Sequence, residues 1–217
     1  MRRKPREEAR KARNHVYRQH IFEAAERVFA ERGFEAAKLQ EISAVAGLSM
    51  GTIYAIFPSK AELFRAILEE RGQELLRLAR EVVARAIPPR EALHALGEVY
   101  VDYFLAHPDF LRMHLRSGTS WILSPSPGTD AQIRHWQDFH ALQAEIFQRG
   151  VAEGVFIDED PGYLAKMFSA LDQVLLADWV AGGMKARRDE LVRRLQDTVE
   201  RTFYRESAQK NAAAARR

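Results

Sequence analysis

Residues 38–63, KLQEISAVAGLSMGTIYAIFPSKAEL, carry side chains that could make polar contacts from one face of a short helix. The pattern predicts a helix, a three-residue turn, a second helix, and a sharp stop before a third helix. The second helix has too little apolar surface to be buried on all sides, which suits a helix presented to the major groove of DNA. An ordinary corner between two helices would give the same pattern, so this alternative stays open. The outward face would carry Met50, Gly51, Thr52, Tyr54 and Ala55.

The residues around the turn predict where these helices begin and end. Gly47 stands where the first helix must end, because glycine adopts the left-handed closing conformation at the least cost. Ser49 can cap the second helix with its hydroxyl group, and Ile53 and Ile56 point back to the core. Pro58 prevents that helix from continuing, since proline lacks an N–H group.

The string G-T-I-Y-x-x-F-x-S-K-x-x-L begins at Gly51, and it follows IFEAAERVFAERGFE and EISAVAGLS earlier in the chain. With these strings, the segment from about Ile21 to Leu68 resembles the tetracycline-repressor-like (TetR) family of one-component transcriptional regulators. The resemblance implies an N-terminal three-helix domain with a helix-turn-helix, and a C-terminal helical domain for ligand binding and dimerisation.

Carried over position by position, the resemblance implies DNA contacts around the turn. Gln40 would lie near base edges or phosphate, while Tyr54 and Lys60 would hold phosphates. The family usually has Thr or Ser near positions 37–39, and Lys38 could replace that phosphate contact only as a point charge, with the helix cap lost. The implied DNA-binding set is Lys38, Gln40, Ser49, Met50, Gly51, Thr52, Tyr54 and Lys60.

Composition limits the class of protein. The 217 residues suffice for one large or two small domains, and the absence of cysteine excludes disulfides and thiolate metal sites. No apolar run approaches the roughly 18 residues of a membrane span, and the charged N-terminus does not read as a signal peptide. We expect a cytoplasmic protein.

Positive charge is concentrated near the N-terminus. The first sixty residues hold twelve Lys or Arg and seven Glu, whereas the remainder holds twenty-one basic and twenty-three acidic residues. Much of the excess lies in residues 1–15, which we expect to form a flexible basic arm. Such an arm could bind DNA phosphates by counterion release or reach a minor groove, but it could equally be a solvated tail.

Apolar residues recur every three or four positions along the whole chain, so we predict an all-α fold. The predicted helices after the turn motif cover about 60–83, 90–106, 109–116, 131–153, 161–180 and 188–205, and the first helix covers about 16–31. The predicted domains are the arm at 1–15, the helix-turn-helix domain at 16–62, the helical effector-binding and dimerisation domain at 63–206, and a flexible tail at 207–217.

Aromatic side chains are dense on the middle helices, with a few polar groups, including Gln143, among them. Ligand sites have this composition, although spacing alone favours a simple packed core. The resemblance favours an effector pocket, because such regulators bind a small molecule in this domain, and an apolar or aromatic molecule would suit the lining. The candidate pocket residues are Tyr100, Tyr103, Phe104, His114, Trp121, Trp136, Phe139, His140, Phe168 and Asp172.

Asp172 has three possible environments. It lies in the middle of a predicted helix between Leu171 and Val174. It could face the pocket, pair with an arginine, or lie at a dimer surface, and the sequence does not choose among these.

The last two long helices are the predicted dimer interface. Each carries apolar residues at regular spacings of three or four, and two such helices leave apolar surface for a twofold-related partner. In the family, the corresponding helices form a four-helix bundle across the dimer. The candidate residues are Leu164, Leu171, Leu175, Trp179, Leu191, Leu195, Val199 and Phe203.

Other chemistries have little support. The chain lacks G-x-S-x-G, H-E-x-x-H and a P-loop, and its seven histidines follow no metal-binding spacing. We therefore expect no catalytic site, no metal and no cofactor. A helical enzyme or adaptor, in which the turn motif is incidental, remains the alternative.

The sequence as a whole predicts a homodimeric repressor that binds double-stranded operator DNA. Two recognition helices would occupy successive major grooves about 34–36 Å apart, so the operator should be a near-palindrome. A hydrophobic small molecule would release the repressor. The helix at 60–83 is expected to be the only rigid connection between the domains and therefore to carry the coupling.

Overall fold

The computed structural model describes residues 4–118 and 129–205, with side chains from Arg13 onward. The all-α prediction is confirmed within these ranges, where the only extended pairing is an isolated bridge between Phe156 and Tyr204. No helix in these ranges is long and apolar enough to cross a membrane. The helices are α1 Lys4–Ala36, α2 Leu39–Ala46, α3 Met50–Ile56, α4 Lys60–Val83, α5 Pro89–Ala106, α6 Pro108–Arg116, α7 Asp130–Ala152, α8 Pro161–Ala181 and α9 Arg188–Phe203.

The chain divides into two compact units. The first contains the described chain up to Glu70 together with Asp109–Gly118, and the second contains Arg71–Pro108 together with residues 129–205. Helix α4 therefore starts in the first unit and continues into the second. The chain also passes between the units before Asp109 and after Gly118, and the expectation that α4 is the only rigid connection stays a prediction.

Helix α1 starts earlier than the sequence pattern indicated. It begins at Lys4, where we expected a flexible arm up to residue 15. The residue types explain the extension, since Lys, Arg, Glu and Ala all have high helix propensity and Pro5 is tolerated in a first turn. Helical geometry is interrupted at Gly33, whose φ of 78° and ψ of 163° are available to glycine at little cost.

The first unit is built on a core between α1, α2, α3 and the start of α4. Arg18 packs against two aromatic rings of this core. Its guanidinium lies 4.7 Å from the ring centre of Phe22 and 5.0 Å from that of Phe57. Its Nε also donates to the carboxylate of Glu70 at 2.9 Å. The central side chains, all fully buried, are Ile21, Phe22, Ala25, Phe29, Ile42, Ile53, Leu63 and Ile67.

The second unit packs α5, α7, α8 and α9 around an apolar core. Phe147 and Phe168 of α7 and α8 meet Phe203 of α9, with ring centres 5.1 and 6.4 Å away. Phe156 follows α7 and is fully buried, with its ring stacked on Tyr204 at 5.3 Å. This core fixes the relative positions of the helices that carry the polar groups described below.

Gly150 allows α7 to pass directly over the ring of Phe156. A Cβ atom at this position would collide with the Cδ2 and Cε2 atoms of that ring. The ring cannot retreat easily, because it lies between Phe147 and Tyr204.

Replacing Gly150 with Ala should therefore lower the free energy of unfolding by about 1–3 kcal/mol through overpacking, as measured by urea denaturation. Gly72→Ala is the matched control, because its added Cβ would meet only Nδ1 of His135 at 3.6 Å. Because Gly72 lies inside a helix, Gly72→Ala should raise the free energy of unfolding by up to about 1 kcal/mol. Equal stability of the two variants would contradict the packing described for Gly150.

Candidate functional site

The turn between α2 and α3 has the geometry that the sequence predicted. Gly47 adopts the left-handed conformation, with φ 65° and ψ 28°. The hydroxyl of Ser43 donates to the carbonyl of Leu48, and the amide of Leu48 donates back to the carbonyl of Ser43 at 3.1 Å. The predicted cap is confirmed, since the hydroxyl of Ser49 accepts from the amide of Thr52 at 3.1 Å. These bonds fix the direction in which α3 leaves the turn.

The start of α2 is stabilised differently from our expectation. Lys38 occupies the N-cap position with extended φ and ψ, and its side chain makes no capping hydrogen bond. Glu41 compensates in part, because its carboxylate accepts from the amide of Lys38 at 3.2 Å. One amide at this helix end is therefore satisfied, and the expected loss of the cap is only partial.

The residues with implied DNA contacts are mostly accessible. Tyr54 is 50% exposed, while Met50 and Thr52 are half-buried. The hydroxyl of Thr52 already lies 2.9 Å from that of Ser49, so a base contact by Thr52 would share or exchange this hydrogen bond. The remaining exposed members of the set on α2, the turn and α3 are Lys38, Gln40, Ser49 and Gly51.

Lys60 binds backbone carbonyl groups near the end of α1, a structural role that the sequence did not reveal. Its ammonium donates to the carbonyls of Phe34, Glu35 and Ala37 at 2.6, 3.0 and 3.0 Å. It also lies 4.6 Å from the ring centre of Phe34. An ammonium has three donors, so all of them are used at the end of α1. The phosphate contact of Lys60 stays a prediction, and it would require some of these bonds to break.

The second unit brings several of the predicted pocket residues together. Tyr100 of α5 stacks on Phe139 of α7 with ring centres 5.0 Å apart, and Phe168 of α8 lies 6.1 Å from Tyr100. Trp136 lies 4.3 Å from the ring of His140. Three helices thus contribute aromatic surface to one cluster.

A chain of buried polar groups runs beside these rings. The amide of Gln143 donates to the hydroxyl of Tyr100 at 3.3 Å, and the hydroxyl of Ser169 donates to Gln143 at 3.0 Å. Ser169 also lies 3.5 Å from Nε2 of His140, whose Nδ1 is 2.9 Å from the carbonyl of Trp136. Burial lowers the pKa of His140, because the imidazolium form loses its hydration.

Asp172 lies in the same part of the second unit and is 1% exposed. Neither carboxylate oxygen has a hydrogen-bond partner among the residues that the structure describes. Desolvation raises the pKa of Asp172 well above its ordinary value, and the negative charge of Asp172 adds to the desolvation that raises the pKa of Tyr100. Of the three environments left open by the sequence, the buried position excludes an exposed dimer surface, and no arginine within the described chain pairs with it.

Burying a carboxylate without a partner costs of the order of several kcal/mol, unless the group takes up a proton. Ser169 and Asp172 are three residues apart and therefore lie on one face of α8. Ser169 is not among the predicted pocket residues, although its spacing of three from Asp172 places it on the same helix face.

Other predicted pocket residues lie elsewhere. Tyr103 donates from its hydroxyl to Glu74 at 3.1 Å and to the carbonyl of Arg71 at 3.2 Å, and its ring packs on Phe104. His114 belongs to the first unit, and burial of its ring lowers its pKa to about 4. Trp121 lies outside the described residues.

The predicted dimer residues are mostly buried within one protomer. Seven of the eight are at most 7% exposed within one protomer, so they belong to its own core. A period of three and four marks the buried face of each helix, whichever surface covers it, and a role of these seven residues in the dimer stays a prediction. They are Leu164, Leu175, Trp179, Leu191, Leu195, Val199 and Phe203, whereas Leu171 is half-buried.

Comparisons with known proteins decide the family. Residues 21–67 match the family model for bacterial regulatory proteins of the tetR family. The HTH-type transcriptional repressor AcnR of Corynebacterium diphtheriae is 39% identical over 147 residues, which cover 66% of this chain and 70% of AcnR. The chain belongs to the TetR family.

Two further matches show how far along the chain the similarity extends. The HTH-type transcriptional repressor NicS of Pseudomonas putida is 27% identical over 149 residues, or 65% of this chain and 66% of NicS. The chain thus spans about two thirds of the length of these curated relatives. A transcriptional regulator from Saccharomonospora viridis, solved in complex with choline, has a TM-score of 0.70 at 25% identity, covering 87% of this chain and 98% of that one.

The TetR assignment confirms the resemblance that the residues suggested. The helix-turn-helix of the first unit is the DNA-binding element of a transcriptional regulator, and the family is not one of enzymes. An incidental turn in an enzyme or adaptor is therefore not supported.

The buried carboxyl group predicts a pH dependence of stability. The pKa of Asp172 in the folded protein lies above its ordinary value of 3.8. The protonated carboxyl group therefore contributes fully to the free energy of unfolding below pH 3.8, and this contribution is lost as the pH rises through the folded pKa. The stability of the wild type relative to Asp172→Asn should therefore be greatest at about pH 3.8 and below, and should fall as the pH rises above that value. Urea unfolding of both proteins at each pH measures this difference, and a difference that rises with pH would contradict it.

Proposed function

We propose that this chain is a homodimeric TetR-type repressor that binds a near-palindromic operator and is released by a small molecule held in the second unit. The observation that carries the DNA-binding part is the exposed outer face of α3, held at a fixed angle by Gly47 and the Ser43–Leu48 bonds. AcnR and NicS are described as repressors, which favours repression as the mode of action. Such a regulator would work in the cytoplasm, where its DNA lies.

The DNA contacts are proposed for the residues that are accessible beside the turn. Gln40 and Thr52 would read bases, Met50 would meet a thymine methyl group, and Tyr54 would bind phosphate. Lys38, Ser49 and Gly51 would complete the surface, and the basic start of α1 would add phosphate attraction. Lys60 would act mainly by holding the end of α1 through its three carbonyl bonds.

The effector site is proposed at the aromatic and polar cluster of α5, α7 and α8. Tyr100, Phe139 and Phe168 supply apolar surface, and the polar groups of His140 and Asp172 lie in the same cluster of helices. The related regulator from Saccharomonospora viridis holds choline, which supports a small organic effector here. The ligand would change operator affinity by favouring one of two conformations.

Selection of DNA fragments from a random pool, followed by anisotropy titration of the recovered duplexes, tests the proposed function. We expect a near-palindromic site that is bound saturably, with half-sites about 10 base pairs apart. Binding that depends on salt alone and is equal for all sequences would contradict the proposal, because a basic segment by itself gives that behaviour.

Two substitutions separate positioning contacts from sequence reading. Tyr54→Phe should weaken binding to the selected duplex and to a scrambled duplex by the same factor, about two- to tenfold, because a phosphate contact carries no sequence information. Thr52→Ala should instead reduce the ratio between the two affinities. Anisotropy titrations at one fixed salt concentration measure both effects. A change in sequence preference for Tyr54→Phe would overturn its assignment.

Dimerisation is proposed through the outward face of α8. Val174 and Tyr163 are 59% and 54% exposed, and the stripe that contains them alternates in steps of four and three, opposite the buried face. The accessible face of α9 is charged instead, with exposed Arg193, Arg194 and Asp197. The full stripe on α8 is Tyr163, Met167, Ala170, Val174, Ala177 and Ala181.

Val174→Glu should convert the dimer to monomers, because a dimer would bury the new carboxylate without a partner. Sedimentation velocity measures the change, and operator affinity should fall together with the dimer fraction. Gln148→Glu places the same charge on an exposed position of α7 and should leave the dimer intact. A fully dimeric Val174→Glu protein would exclude this stripe as the interface.

A further inference from the structure

Asp172 stands apart from the polar groups around it. Contacts of 3.0–3.5 Å link four polar groups to one another: the hydroxyl of Tyr100, the amide of Gln143, the hydroxyl of Ser169 and the ring of His140. Both oxygens of Asp172 lack such a partner within the described part of the chain, although the residue is 1% exposed. Buried carboxylates are normally paired, so a group left without a partner indicates a ligand that supplies one.

The surroundings limit what that partner can be. A metal ion is not favoured, because the described residues contain no group of three His, Asp or Glu side chains that could hold one. Burial raises the pKa of Asp172, and an anionic ligand beside it would oppose ionisation of the carboxyl group further. A cation would gain from the carboxylate through a charge-assisted hydrogen bond or direct attraction.

The rings point to the same class of ligand. Tyr100 and Phe139 are stacked, and Phe168 precedes Asp172 by four residues, so it lies one turn away on the same face of α8. Aromatic faces attract organic cations and also cover an apolar body. Carboxylate and rings are therefore complementary to a molecule that joins an ammonium group to an apolar part.

We propose that Asp172 is the counter-ion for an ammonium group of the effector, whose apolar part packs against Tyr100, Phe139 and Phe168. This inference rests on the proposed function of the second unit as the effector site. It defines the effector more narrowly, as an organic cation rather than a neutral apolar molecule. Ser169 and Gln143 would position the neighbouring groups without contacting the charge.

Calorimetric titration of the full-length protein with three probes of one shape tests the proposal. Benzylammonium, benzyl alcohol and benzoate share an aromatic body and differ in charge. We expect benzylammonium to bind the wild type at least about tenfold more tightly than benzyl alcohol, and benzoate to bind more weakly than either. Asp172→Asn should remove this preference and leave the affinity for benzyl alcohol within about threefold.

Asp178→Asn is the matched control. It makes the same chemical change on the same helix, at an exposed carboxylate that pairs with Arg194 at 2.8 Å. The control should keep the preference for the cation. If Asp172→Asn does not fold, Asp172→Ser is measured in its place. The preference of the wild type among the three probes is measured without any variant.

The proposal is overturned if the wild type binds benzylammonium and benzyl alcohol equally, if it binds none of the probes at about millimolar concentrations, or if Asp172→Asn keeps the preference. Operator affinity of the same proteins, measured without probes, separates this failure from a wrong function. Intact operator binding with no preference for the cation rejects only the role of Asp172. Loss of sequence-selective DNA binding in the wild type rejects the regulator itself.

Discussion

The carbonyl groups at the end of α1 are the constraint on which the first unit depends. Gly33 interrupts the helical geometry, so carbonyls near it must find donors outside the helix. Lys60 supplies three donors at the start of α4, and Arg116 of α6 donates to the carbonyls of Ala30 and Glu31 at 3.1 and 3.3 Å. Lys60 and Arg116 thus bond α4 and α6 to the end of α1, and α1 is the helix against which α2 and α3 pack.

The two faces of helix α8 have different environments. Its buried face carries Phe168, Ser169 and Asp172 into the polar and aromatic cluster of the second unit. Its opposite face exposes Tyr163 and Val174, which we propose as the dimer contact. In the proposed dimer, a ligand that shifts the buried face would therefore act on the same helix that joins the two protomers. This arrangement gives the proposed regulation a physical basis without any additional moving part.

The sequence predicted the local structure well because local rules decide it. Gly47, Ser49 and Pro58 determine helix ends through backbone geometry and capping, and those rules hold in any protein. The sequence did not reveal the carbonyl groups around Lys60 or the burial of the predicted dimer residues within one protomer, because these depend on which surfaces meet in three dimensions. Periodicity marks a buried face but not what covers it, and a charged side chain gives no sign that three carbonyls will surround it.

The central claim is that a ligand in the second unit changes how the first unit binds DNA. The direct measurement is the affinity of the full-length protein for its selected duplex, by fluorescence anisotropy, with and without saturating benzylammonium. We predict that the bound cation weakens operator binding at least about fivefold in the wild type, within the range of ordinary allosteric coupling. An operator affinity that stays the same while calorimetry shows the cation bound would contradict the claim.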